Sequence, residues 1–224
     1  MPEAQPKSDV HRAEPLAYAP AQQRRSLRSE RKLLIAAQAL FAERGYAHTR
    51  VSDIIAHAGV SNGSFYHRFA DKAALYRAIT QRYVAEAERQ IDAFNAARAA
   101  NGSVAALLRK LAALVDEAGT ENAGFYRAAV ELESEMPEIR TALNRLTLRL
   151  CDRIAGAAPD YADEISAPDP AQAMRLAAQA VTMIVLQVRM GTGPAFPRDR
   201  AALIDTAMRA GCGLLGVLPP RHPA

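Results

Sequence analysis

The stretch Ser61-Asn62-Gly63-Ser64-Phe65-Tyr66-His67-Arg68-Phe69 carries the densest chemistry in the chain. On a helix, Phe65 and Phe69 lie four apart and share a face, so they anchor it to its neighbours. Asn62, Gly63, Ser64, Tyr66, His67 and Arg68 take the remaining surface. That surface is short, polar, aromatic-tipped and basic. An amide suits an adenine edge, whereas hydroxyls and cations suit phosphate oxygens. Gly63 permits close approach of a partner, and Lys72 just past the turn can take another phosphate. This is chemistry for a duplex nucleic acid.

Other chemistries find no constellation. The histidines are His11, His48, His57, His67 and His222, and no two sit three or four apart, so zinc-ligand spacing is missing. The cysteines are Cys151 and Cys212, without a CxxC pair or a disulfide framework. Cys151 on an apolar helix reads as core rather than as a redox sensor. Glu131, Glu133 and Glu135 step by two, which spreads them round a helix as a solvated face. No catalytic set has workable spacing, so no enzyme activity, cofactor or metal is expected. The N-terminus lacks the apolar core of a signal peptide. The apolar run 176–188 is interrupted by Gln179, Thr182 and Gln187 and reads as too short and too polar to span a bilayer. A cytoplasmic, nucleoid-associated protein without a membrane partner is the expectation.

The elements that must position this face are helical. Ala occurs 48 times in 224 residues and Trp not at all, a composition favouring helices over sheets. Leu33, Leu34, Ala37, Leu40 and Phe41 predict a helix over 27–44, stopped by Gly45. A short helix over 50–57 follows, with Thr49 as its N-cap. Gly59 makes the tight turn, Ser61 caps a helix over 62–69, and Asp71 caps the next. The stripe Leu75, Ile79, Tyr83, Ala87, Ile91, Phe94 predicts a linking helix of roughly 40 Å. Breaks are expected at 101–103 and at Gly119-Thr120. Pro137 suits a helix start, 156–168 reads as loop, and Asp169-Pro170-Ala171-Gln172 as N-cap, N1 proline and capping-box Gln. Two largely apolar helices close the chain, to about Met190 and Leu218.

The charge is uneven. The net charge of +4 hides eight Lys/Arg against three acids over 21–70, while the remainder from 71 is balanced. A basic block beside a neutral one suggests that one part meets a polyanion. Residues 1–23 read as a disordered tail, with the cluster Arg24, Arg25, Arg28 behind it as an arm along phosphates or in a minor groove.

Residues 28 to about 80 resemble the DNA-binding domain of the TetR family of bacterial transcriptional regulators. The stretches that carry the likeness are AAQALFAERGY from Ala36, VSDIIA from Val51 and AGVSNGSFYHRFADKAAL from Ala58. The resemblance implies base-edge contacts from Asn62, Gly63 and Ser64, and phosphate contacts from Arg50, Ser52, Tyr66, His67 and Lys72, beside Ser61 and Arg68 on the same helix. It implies a small core of Phe41, Val51, Ile54, Val60, Phe65 and Phe69. Ile55 stands where the family commonly carries a small Ala, implying a wider helix crossing. The expected fold is all-α: a three-helix helix-turn-helix domain over 24–71, a linking helix over 72–100, and an effector-binding and dimerisation domain over 101–219.

In the middle of the chain Phe125, Tyr126, Met136, Met174, Met183 and Gln187 are candidates for an apolar pocket holding a small apolar or amphipathic effector. The last two helices, apolar on most faces, need burial against another copy. Met190, Leu203, Ala207, Ala210, Gly211 and Leu214 are the expected homodimer contacts. The resulting reading is a repressor that binds double-stranded DNA at a palindromic operator and is released by its effector. An activator or an effector-independent regulator of the same fold is the alternative. A non-specific architectural binder would insert apolar wedges, and the polar face of 62–68 argues against it.

Overall fold

The computed structural model describes residues 19–218, with side chains from residue 26 onward. Most of the expected 1–23 tail lies outside the described residues. Its last positions do not, because the first helix, α1, runs Ala19–Arg44 and begins well before 27. It is followed by α2 (Val51–Ala58), α3 (Asn62–Tyr66), α4 (Lys72–Ala93) and α5 (Arg98–Asn101). Then come α6 (Val104–Glu121), α7 (Ala123–Glu131), α8 (Pro137–Ala155), α9 (Pro170–Arg189) and α10 (Arg200–Leu215). Among the described residues there is no strand.

Local chemistry sets most boundaries. The Ser64 backbone N–H donates to Ser61 Oγ at 3.2 Å, Ala74 N–H to Asp71 Oδ1 at 2.6 Å and Gln172 N–H to Asp169 Oδ1 at 3.0 Å. These are three of the expected caps. Pro137 opens α8 as expected. Gly59 ends α2 with φ 60°, ψ 47°, a left-handed conformation that glycine adopts without strain.

Other boundaries differ from the sequence reading, each for a physical reason. Thr49 does not cap α2: its buried hydroxyl donates to Gly45 O at 2.7 Å, and Asp53 instead takes the Arg50 N–H at 3.1 Å. α3 stops at Tyr66, and Phe69 reaches the core from a turn. α4 ends at Ala93, so the linking helix is 22 residues long, about 33 Å at about 1.5 Å per residue. α6 runs through Gly119-Thr120 without a break. A Cβ at Gly119 would lie 3.0 Å from Arg189 Cγ, so this glycine makes room for a neighbour instead of ending a helix. The 156–168 loop contains a 3-10 turn, Ala158–Tyr161. The Gln172 side chain accepts from Arg175 and not from the Asp169 backbone.

Buried apolar side chains form two clusters. One joins α4, α6, α8, α9 and α10 around Leu107, Leu108, Leu111, Met174, Val181 and Met208. The other joins α1, α2, α3 and the start of α4 around Leu33, Phe41, Ile54, Phe65 and Tyr76, and draws in Phe125, Tyr126 and Leu132 from α7. Ile55 is buried within it. By length and composition α9, 20 residues with mean hydropathy 1.2, could cross a bilayer, contrary to the expectation from its apolar run alone. Here it packs against α6, α8 and α10, as a core helix does. Cys151 and Cys212 are buried, and desolvation pushes the Cys151 thiol up to about 11, so little thiolate is available.

Candidate nucleic-acid interface

α2 and α3 pack on α1 and on each other. Phe65 is fully buried, its ring 5.7 Å from that of Phe69. This anchoring turns Ser61, Asn62, Gly63, Tyr66 and His67 outward, with Ser64 half-buried. Tyr66 is 60% exposed although its ring lies edge-on to Phe65 at 5.2 Å. Arg50 and Ser52, at the start of α2, are exposed beside them. A Cβ at Gly63 would meet nothing nearer than Ser61 Oγ at 4.0 Å. The subunit's own packing therefore does not require glycine there. What a bare backbone favours is close approach from outside.

Two of the expected cations are engaged within the subunit. Arg68 donates to Ser64 O at 2.5 Å, and to Ser26 O and Oγ at 3.0 and 2.7 Å, tying α3 to the N-terminal part of α1. Lys72 Nζ donates to Tyr46 O at 2.7 Å and Thr49 O at 2.8 Å and lies 4.0 Å from the Tyr46 ring centroid. Burial lowers the Lys72 amine, and Glu131 and Glu135 partly offset this. Both side chains fix the shape of the reading end. Arg24 and Arg25 lie in the part of α1 whose side chains fall outside the described residues.

The reading end is clamped to the rest of the molecule by α7. Arg127 Nη1 donates to Ala42 O and Glu43 O at 2.9 and 3.2 Å, capping the last carbonyls of α1. Glu131, exposed with Glu133 and Glu135 as expected, also accepts from Ala47 N–H at 2.8 Å and so contributes to this joint. Tyr76 OH donates to Phe125 O at 2.9 Å. At Gly124 the backbones of α1 and α7 touch.

The six expected pocket residues do not line one cavity, although the Phe125 and Tyr126 rings touch, 5.3 Å apart. Met136 belongs to the cluster with α1 and Met174 to the other, both buried, while Met183 is half exposed on α9. Only Tyr126 of the six lines either of two adjoining cavities. One is an apolar recess of about 70 Å³ among α4, α6, α7, α8 and α9. The other is an open groove of about 760 Å³ between α1, α4 and α6. Tyr83 and Tyr126 hydrogen-bond through their hydroxyls at the recess wall, and burial raises both phenols, so both stay protonated.

Three of the six expected dimer contacts are also reassigned. Leu203, Ala207 and Gly211 are buried inside the subunit, where a Cβ at Gly211 would lie 2.8 Å from Leu108 and 3.1 Å from Val181. Ala210 and Leu214 remain exposed and Met190 half-buried.

A helix-turn-helix with an outward polar face is an arrangement that DNA-binding domains use. Residues 33–79 match the sequence profile described as "Bacterial regulatory proteins, tetR family". Over these residues the chain is similar to that family. It is 44% identical over 59 residues to the HTH-type transcriptional activator FasR of Mycolicibacterium smegmatis, a match covering 25% of this chain and 27% of that protein. It is 31% identical over 107 residues to the HTH-type transcriptional repressor DhaR of Mycobacterium sp. strain GP1, covering 48% and 54%. The matched stretches thus span about half of these curated relatives or less. Among solved structures, a bacterial regulatory protein in the tetR family from Rhodococcus RHA1 superposes with TM-score 0.64 at 20% identity, covering 85% of this chain and 98% of the other. The fatty acid degradation regulator FadR from Bacillus halodurans gives 0.56 at 21%, covering 86% and 97%. These two show a shared fold.

Proposed function

We propose that this chain is a ligand-responsive transcriptional repressor that binds a palindromic operator as a homodimer and releases it when a small apolar or amphipathic effector binds. The observation that carries the DNA-reading part is the outward face Ser61, Asn62, Gly63, Tyr66 and His67, with Gly63 open to solvent and unneeded by the fold. Asn62 and Ser64 read base edges there, and Arg50, Ser52, Tyr66 and His67 hold phosphates. Two relatives named for opposite outcomes, an activator and a repressor, make activation the second reading. Such a protein works in the cytoplasm, at the nucleoid.

Dimerisation is supported by what α9 and α10 leave uncovered. Leu176 is 45% exposed, Met183 50% and Leu214 47%, with Ala210 and Gly213 between them. Large apolar side chains on two adjacent helices form the kind of patch that a second copy covers. A two-fold axis there predicts half-sites roughly 34–36 Å apart. Met183→Arg together with Leu214→Arg is expected to convert the dimer to monomer in sedimentation equilibrium without loss of helical signal. A variant that still sediments as a dimer places the interface elsewhere.

Release is supported by the joint at α7. Tyr126 lines the recess, while its neighbours Arg127 and Glu131 hold α1 and the α1–α2 turn. A ligand that displaces α7 moves the reading end and favours a conformation with mismatched half-site spacing.

The test is selection of sheared genomic DNA at about 150 mM salt, where non-specific binding is weak. A shared palindrome is the expected product, and retention without a shared sequence would establish a non-specific binder. On the selected site, Asn62→Ala is expected to cost about 1–3 kcal/mol and to relax preference at one base pair. Gly63→Ala is expected to leave the melting temperature unchanged and still weaken the operator. Equal losses on operator and random DNA would remove both residues from base readout.

A further inference from the structure

The recess and the groove share a wall. Tyr83, Ala87, Gln90, Leu114 and Ala118 line both. Small-molecule sites measure about 300–1,000 Å³. The recess, at about 70 Å³, is too small to be a site by itself, and the groove, at about 760 Å³, is not. A ligand anchored in the recess therefore extends into the groove. There it meets α1 of the reading end, which contributes Arg31, Leu34, Ile35 and Gln38 to the groove wall. Ile35 is 56% exposed, an apolar side chain facing this space.

The two ends differ in chemistry. The recess is walled by Ile91, Val115, Leu143, Leu146, Leu150 and Leu186. The groove wall is mixed, with Leu34, Ile35, Ile79 and Phe94 beside a balanced set of charges, Arg31, Arg82 and Lys110 against Glu86, Glu117 and Glu121. An excess of either sign in a ligand head would leave wall charges of that sign facing it.

We infer that the effector is a linear amphiphile, with the end of its apolar chain in the recess and the rest of the chain and a polar head of no net charge in the groove, so that the ligand itself bridges α6 and α1. This rests on the effector reading above and adds to it a direct contact with the DNA-binding domain. The bound molecule holds one separation of α1 from α6, and so sets the reading end without relaying through α7 alone.

The full chain is titrated calorimetrically with decylphosphocholine, butylphosphocholine, decanoate and decyltrimethylammonium, each below its micelle concentration. Decylphosphocholine is expected to bind at least tenfold more tightly than each of the other three. Ala118→Phe, at the junction of recess and groove, and Ile35→Glu, on the exposed side of α1, are each expected to weaken it at least tenfold. Melting curves confirm that both variants fold, and Ile35→Glu stands on an exposed position should Ala118→Phe fail to. If Ile35→Glu binds as tightly as the parent, the ligand is confined to the core. The bridging inference is then overturned while an effector remains. Tighter binding of decanoate or decyltrimethylammonium overturns the uncharged head. Absence of binding by every decyl probe overturns the amphiphile. The effector reading fails separately, when no compound in a screen releases the selected operator.

Discussion

Gly124→Ala is expected to lower the thermal midpoint by roughly 6–12 °C, the equivalent of about 3 kcal/mol for a chain of this size. The added Cβ would lie 1.9 Å from Gln38 O, 2.8 Å from Gln38 C and 3.0 Å from Ala42 N. All three are backbone atoms of α1, so no change of rotamer relieves the overlap. Ordinary contact begins near 3.4 Å, so α1 and α7 must separate by more than an ångström. That separation breaks interactions tuned to the present distance: Arg127 on the Ala42 and Glu43 carbonyls, Glu131 on the Ala47 N–H, and Tyr76 on the Phe125 carbonyl. Gly156→Ala is the control. Its Cβ would find nothing closer than 3.4 Å, in a right-handed conformation that alanine accepts. The control is expected to be neutral or to stabilise by a few tenths of a kcal/mol. Equal midpoints for the two variants would show that α1 and α7 are not in backbone contact. Because this joint also holds the reading end, Gly124→Ala is expected to weaken operator binding beyond what unfolding explains, measured well below the midpoint.

How much of this was legible in the sequence follows from the range of each interaction. Caps act over three residues, so Ser61, Asp71 and Asp169 could be found by reading along the chain. The anchoring of α3 through Phe65 was legible for the same reason, and with it the outward set around Asn62. Thr49 was misread because its hydroxyl had two carbonyl or amide partners within reach, and the buried Gly45 carbonyl won. Gly119 reads as a break only if the space beside it is empty. Arg189, seventy residues away in sequence, fills it. Arg68 and Lys72 illustrate a second limit. Charge identifies a cation, but only the fold shows that Ser26 and the Tyr46–Thr49 turn already occupy it. A helix apolar on most faces, such as α10, must be covered, yet sequence does not say by whom. Leu203, Ala207 and Gly211 meet α6 and α9 of the same subunit, leaving Ala210 and Leu214 outside. The Arg127–Glu131 joint was invisible because its partners are backbone atoms of α1 and the turn after it, which carry no residue signature.

Asp116→Ala is the second large effect expected, about 3 kcal/mol, and it tests what holds α9 and α10 in place. Asp116 is 1% exposed in the middle of α6. Its Oδ1 accepts from Arg189 Nε at 2.7 Å and also from Arg189 Nη2, and its Oδ2 from Arg200 Nε at 2.9 Å. Arg189 is the last residue of α9 and Arg200 the first of α10. One buried carboxylate thus pins both ends of the 190–199 connection to α6. Removing one member of a buried charge group costs about 3–5 kcal/mol because the others are left unpaired. The low end applies here. The Arg200 side chain is 62% exposed and rehydrates, whereas that of Arg189 is 22% exposed and rehydrates poorly. A double-mutant cycle separates lost pairing from lost packing. Arg189→Met alone costs less than Asp116→Ala, since Arg200 still answers the carboxylate. Asp116→Ala combined with Arg189→Met is expected to recover at least about 1 kcal/mol relative to the sum of the two. Additive losses would mean that the carboxylate acts through packing and not through the charge it balances. Because α9 and α10 carry Met183 and Leu214, loosening this pin is also expected to raise the dissociation constant of the proposed dimer, whereas Gly124→Ala, at the joint of α1 and α7, leaves that constant unchanged.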